Sequence, residues 1–262
     1  MTGGSSIAAA LHEGVLRLSI ANPPLNVLTQ TVRRELGDLF AHLQRDASVR
    51  CVLWESGDRA FCAGADLKEF PLRFDTAVAR AHGENAHRMM LALVDLDTPV
   101  VAALRGACMG GGLELAMGCG YRIAASSARL ALPEVNRGAW PGTGGTLLLS
   151  RLVGPSIAKR LLHPGATIDA AHALSIGLVD EVVDDGALDA RAAEFARTVA
   201  AQPATSIRTM SRLVDRRLRL DLREHLQFEL ERFVQAYQLP DAKEGIAAFF
   251  EKRAPRWAQS PS

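Results

Sequence analysis

The sequence predicts an α/β fold followed by a helical C-terminal region. Three observations carry that reading. Short apolar runs alternate with amphipathic helical stretches over the first two-thirds of the chain, helical periodicity alone continues from about Asp189, and glycine-rich segments recur where a strand should meet a helix. The 262 residues are 48% hydrophobic and 23% charged. That length buries roughly three quarters of the unfolded surface, so a substantial core is expected.

Taken in order, residues 16–20 alternate apolar and polar as a half-buried strand does, and Asn22-Pro23-Pro24 stops it. Thr29 is placed to cap a helix in which Val32, Leu36, Leu39, Phe40 and Leu43 recur at helical spacing. Residues 51–54 and 100–104 are continuous apolar runs, the pattern of strands covered on both faces. Between them residues 74–96, with Val78, Met89, Met90 and Leu93, predict a second helix behind a mobile loop. From Asp189 onward Phe195, Val199, Leu213, Leu226, Leu230, Phe233, Phe249 and Phe250 form helical stripes. The segment Ala200-Ala201-Gln202-Pro203 marks the boundary between a core of residues 1–200 and a helical region of residues 201–262.

Composition excludes several classes of function. Thirty Lys and Arg against 29 Asp and Glu give a net charge of +1, without the excess that phosphate-backbone binding requires, so nucleic acid is not an implied partner. The basic run at residues 212–219 alternates with Leu and Val and reads as a solvated helix face or subunit contact. Cys51, Cys62, Cys108 and Cys119 form no C-x-x-C pair and read as reduced, buried thiols. Residues 1–10 lack a basic, apolar leader, and no segment reaches the ~20 apolar residues of a membrane span. A cytoplasmic protein without a membrane partner is expected.

The glycine-rich segments are residues 61–66, 106–114 and 141–145. Glycine permits close backbone approach, and N–H groups freed at a helix start can receive developing negative charge. Residues 106–112 do not spell G-x-G-x-x-G, Gly112 stands where a phosphate loop needs lysine, and no serine lies in a G-x-S-x-G elbow. His82, Glu84 and His87 spread around a helix and do not converge, so no metal site is expected and a surface or pocket-wall role is. Two carboxylates in apolar surroundings remain, Glu114 and Glu134. Each could simply cap or pair, but together beside glycine loops they fit one proton donor and one acceptor.

These segments, in their order, resemble the signature pieces of the enoyl-CoA hydratase/isomerase (crotonase) family. Residues 22–28 resemble the family's leading Asn-Pro segment, and residues 61–68, Phe-Cys-Ala-Gly-Ala-Asp-Leu-Lys, its F-x-A-G-A-D loop. Residues 110–116 resemble the glycine-led helix, Leu132-Pro133-Glu134 with residues 141–146 the second-glutamate segment, and residues 173–180 and 250–253 complete the pattern. The resemblance implies a crotonase-like spiral of ββα units with a C-terminal helical trimerisation region, in homotrimers often paired into hexamers. It implies that the N–H groups of Ala65 and Gly111 form an oxyanion hole for an acyl-CoA thioester. Ala63, Asp66, Leu67, Lys68 and Lys252 are the candidates for CoA contacts, and coenzyme A is part of the substrate, with no separate cofactor. Trp140 stands where relatives carry a smaller aliphatic residue and is expected to shape the acyl pocket. Glu114 and Glu134 together favour hydration of a trans-2-enoyl-CoA, an activity of fatty-acid metabolism. A double-bond isomerase of the same fold is the alternative, and a non-catalytic RNA-binding or structural relative a more distant one.

Overall fold

The computed structural model describes residues 6–56 and 59–256. The sequence readings at residues 1–5 and 257–262 lie outside the described residues.

An antiparallel pair, β1 (Ile7–His12) and β2 (Val15–Ile20), leads into helix α1 (Gln30–Leu43). Thr29 caps α1 as its side chain accepts from the Val32 amide, a contact worth ~1 kcal/mol, and Val32, Leu36, Phe40 and Leu43 face the core. One unit then repeats. β3 (Cys51–Trp54) enters a larger sheet, β4 (Ala60–Cys62) a smaller one, and helix α2 (Thr76–Val94) follows. β5 (Val100–Leu104), β6 (Ala107–Met109) and α3 (Gly111–Gly118) repeat the pattern, as do β7 (Tyr121–Ala125), β8 (Arg129–Ala131) and α4 (Gly145–Val153). The chain continues through α5 (Pro155–Leu162), β9 (Ile168–Asp169), α6 (Ala170–Ser175) and β10 (Glu181–Val183), and then α7 (Leu188–Ala200), α8 (Ala204–Ala236) and α9 (Pro240–Phe250).

The larger sheet runs β1-β2-β3-β5-β7-β10, parallel from β2 onward, and the smaller runs β4-β6-β8-β9 with only β9 antiparallel to its neighbour. Successive units therefore add one strand to each sheet, which is the expected ββα spiral. β3 and β5 are buried along their whole length, as their unbroken apolar runs required. Trp54 is fully buried between Phe40 and Phe61, with ring centroids 5.6 and 5.5 Å away.

The structure revises some local expectations. The glycine-rich segment at residues 141–145 follows a 3₁₀ turn (Glu134–Arg137), not a strand, because β8 ends before Pro133. The loop ahead of α2 is ordered into 3₁₀ turns at Leu67–Glu69 and Pro71–Phe74, the first capped by Asp66 through the Lys68 amide. Part of the basic run on α8 is not a solvated face: Arg219 is largely covered and pairs with buried Asp97 at 3.0 Å, while Arg212 pairs with the same carboxylate at 2.6 Å and stays exposed. Leu222 and Leu226 of α8 belong to the same apolar core as Leu18, Phe40 and Trp54, whereas Leu213 and Val214, nearer its start, are 69% and 78% exposed. No helix among the described residues is long and apolar enough to cross a membrane.

Candidate active site

Where the smaller sheet meets α3, the chain makes a close backbone approach that only glycine permits. Gly64 has φ +90°, and a Cβ there would lie 2.7 Å from the Met109 carbonyl oxygen and 3.5 Å from the Gly111 nitrogen. The loop after β4 is thereby pressed against the start of α3, which brings Ala65 beside Gly111. Gly64 O accepts from Leu28 N at 2.8 Å and Leu28 O from Asp66 N at 3.3 Å, fixing the backbone on either side of Ala65. The N–H groups of Ala65 and Gly111 have no acceptor among the described residues. Gly111 is the first residue of α3, so its amide also carries the positive end of the helix dipole.

Both sequence-predicted carboxylates line the same cavity of about 300 Å³, together with Ala63, Ala65, Leu67, Gly111 and Trp140. Glu114 projects from the first turn of α3 and is only 2% exposed. Its Oε1 accepts from the amides of Thr143 and Gly145, both at 2.8 Å, which is what the glycine-rich segment before α4 does for the site. Glu134 lies across Gly110, where φ is +51° and a Cβ would stand 2.8 Å from Glu134 Oε1. Its Oε2 is buried without a hydrogen-bond partner among the described residues. Burial pushes both carboxyls well above the ordinary range, Glu114 further because the charges of Glu134 and Glu229 also face it. Two such groups facing one cavity titrate as a pair and can hold one proton between them, one as acid and the other as base.

Trp140 is half-buried and packs against the aromatic cluster of Phe70, Phe233 and Tyr237, so it is at once a cavity wall and a packing residue. Asp66, Lys68 and Lys252 do not line the cavity. Asp66 is occupied as the cap of its turn, and Lys68 and Lys252 are exposed, Lys252 with a left-handed φ of +53° just past α9. His82 is on the cavity wall, as read from sequence, but His87 lies behind it, 7% exposed, with Nε2 3.1 Å from the Gly142 carbonyl oxygen.

Sequence reasoning missed a further buried carboxylate beside the site, Glu229, 4% exposed on α8. It accepts from Gly144 N at 2.9 Å and faces His87 and His225, each at 3.4 Å. Burial alone would raise its pKa, but the bonds from His225, His87 and Gly144 outweigh that and hold it below the ordinary value. The signal was present: Leu226, Glu229 and Phe233 share one helical stripe, so Glu229 occupies an apolar position. Also missed were Arg33, Arg73 and Arg137 in the cavity lining.

Comparison with known proteins agrees with this geometry. The model of the enoyl-CoA hydratase/isomerase family matches residues 10–260. The chain belongs to that family. A probable enoyl-CoA hydratase of Bacillus subtilis is 37% identical over 257 residues, spanning 97% of this chain and 98% of that one. A short-chain-enoyl-CoA hydratase of Clostridium acetobutylicum is 36% identical over 244 residues, spanning 92% and 93%. Among solved structures, an enoyl-CoA hydratase/isomerase from Pseudoalteromonas atlantica superimposes with a TM-score of 0.87 at 31% identity, covering 95% of this chain and 98% of that one. The fold is thus shared with that structure over 95% of the chain.

Proposed function

We propose that this protein is an enoyl-CoA hydratase, adding water across the double bond of a trans-2-enoyl-CoA to give the 3-hydroxyacyl-CoA. The observation that carries the reading is the convergence of buried Glu114 and half-buried Glu134 on a cavity that also holds two unbonded backbone N–H groups. Relatives named as enoyl-CoA and crotonyl-CoA hydratases, at 35–37% identity, support it.

In this reading the amides of Ala65 and Gly111 take the thioester carbonyl oxygen and stabilise the enolate, a contribution of ~3–4 kcal/mol per donor. C3 becomes electrophilic. Glu114, with Oε1 locked by two amides, turns Oε2 to the water and accepts its proton as the oxygen adds to C3. Glu134 delivers a proton to C2, and transfer from Glu114 back to Glu134 resets the pair. The chemistry is redox-neutral, and coenzyme A enters as part of the substrate. Ala63 and Leu67 flank the thioester, and Asp66, Lys68 and Lys252 contact CoA outside the cavity. Trp140 bounds the acyl group.

The exposed apolar residues Met210, Leu213, Val214 and Leu220 on the first half of α8 support assembly into trimers or hexamers. Buried free thiols at all four cysteines fit a reducing cytoplasm. The test is incubation of the purified protein with trans-2-enoyl-CoAs of several lengths. Gain of one water with hydroxyl at C3 is expected. A shifted double bond at unchanged mass would make it an isomerase, and no turnover on any length would remove the enzymatic reading.

A further inference from the structure

The cavity lining carries two buried cations that hydration chemistry does not use. Arg33 rises from α1 at 5% exposure, and Arg73 from the 3₁₀ turn Pro71–Phe74 at 4%. Both line the cavity with Glu114 and Glu134. Arginine is almost never buried to this degree without a matching carboxylate.

The matching carboxylate falls short here. Arg33 Nη1 comes no nearer than 3.6 Å to Glu69 Oε2, beyond hydrogen-bond range, and Arg33 Nε and Nη1 are buried with no hydrogen-bond partner among the described residues. Glu69 is meanwhile engaged by the Gln30 amide at 3.0 Å. Arg73 makes no ion pair among the described residues. It donates Nη1–H to the Tyr237 hydroxyl at 2.8 Å and Nε–H to His82 Nδ1 at 3.3 Å, and lies 4.5 Å over the Phe70 ring. As His82 accepts through Nδ1, it is the neutral ring that fits there, adding no charge of its own. Arg33 thus faces one carboxylate already engaged elsewhere, and Arg73 faces none within ion-pair range among the described residues.

A hydrocarbon chain laid into this cavity would desolvate both guanidiniums and pair with neither. A carboxylate at the far end of the chain would meet the unbonded donors of Arg33 in the planar geometry that guanidinium offers. We propose that the preferred substrate is an enoyl-CoA whose acyl group ends in a carboxylate, recognised by Arg33, with Arg73 held in its aromatic cage as the second cation. The hydratase reading supplies the CoA ester; the buried arginines supply the acyl class.

Binding of saturated, unreactive esters tests this without turnover, so its failure and that of the hydratase reading are separable. Isothermal titration would compare glutaryl-CoA with pentanoyl-CoA, and adipoyl-CoA with hexanoyl-CoA, with free CoA as control. The diacid ester is expected to bind about tenfold tighter or more at one length at least, the range of a charge-assisted hydrogen bond. Arg33→Met should abolish that ratio and leave free CoA binding unchanged, and Arg33→Lys should restore part of it. Equal affinities in the wild-type protein, which need no variant to fold, would overturn the proposal. So would a ratio untouched by Arg33→Met, or an equal loss for every CoA species, which would place the anion on CoA itself.

Discussion

Replacing Glu114 by Gln separates catalysis from stability in a way that few substitutions do. The amide oxygen of Gln still accepts from Thr143 and Gly145, so both 2.8 Å bonds survive while the ionisable group is lost. Burial raises the Glu114 pKa from 4.5 to about 8, so the folded protein holds this proton more tightly than the unfolded chain. Below pH 4.5 both states are protonated and the group contributes nothing. As pH rises toward 8 the unfolded chain ionises freely and the folded one does not, so the wild type loses stability through that window. At 1.36 kcal/mol per pH unit the ceiling is roughly 5 kcal/mol, shared with Glu134 because the two titrate together. The variant is therefore expected to lose at least ~10²-fold in hydration rate. At pH 8 it should nevertheless melt above the wild type, at ~2–4 °C per kcal/mol regained, with the advantage vanishing near pH 5. Turnover assays and calorimetry across pH 5 to 8 read both. Near-normal turnover, or a variant that melts lower at pH 8, would show that the carboxylate serves the fold and not the chemistry.

Glu134→Gln should likewise lower hydration by at least ~10²-fold while CoA-ester binding persists, read by kcat and by titration; loss in this variant alone, with Glu114→Gln active, would favour double-bond isomerisation. Gly110→Ala places a Cβ 2.8 Å from Glu134 Oε1 at a φ of +51°. It is expected to cost ~1–3 kcal/mol of stability and to abolish most activity, as melting and rate measurements would show. Trp140→Ala should change the ratio of kcat/KM for long and short enoyl-CoAs, since an apolar wall discriminates by ~1–3 kcal/mol per methylene; an unchanged ratio with a lowered Tm would leave only packing. Sedimentation at micromolar concentration should show a trimer or hexamer, and a monomer would leave the exposed face of α8 unexplained.

The ββα spiral was legible where burial was two-sided. β3, β5 and α1 came directly from apolar runs and a capping threonine, whereas β4, β6, β8 and β9 are too short to show a period of their own. Their existence follows from the repeat, which only the family resemblance supplied. Within the site, Glu114 and Glu134 stood out because glycines and apolar residues surround them in the chain. Arg33 and Arg73 did not, because they reach the cavity from α1 and a 3₁₀ turn far away in the chain, and Glu229 did not, because it stands behind the wall on α8 amid other charged residues. A charge on a helix reads as solvated unless its place on the apolar stripe is checked, as at Glu229 between Leu226 and Phe233. The third glycine segment was found but misread, since its purpose is to offer amides to Glu114 and not to turn a strand into a helix.

The central claim is that the paired glutamates add water to C3 of a thioester held by Ala65 and Gly111. Its most direct measurement is the mass spectrum of the product formed from an enoyl-CoA in ¹⁸O-water by the wild-type protein and by Glu114→Gln. The account predicts a 3-hydroxyacyl-CoA with a single ¹⁸O at C3 from the wild type, formed at least ~10²-fold more slowly by the variant. Product that carries no ¹⁸O and differs from substrate only in the position of its double bond would contradict it.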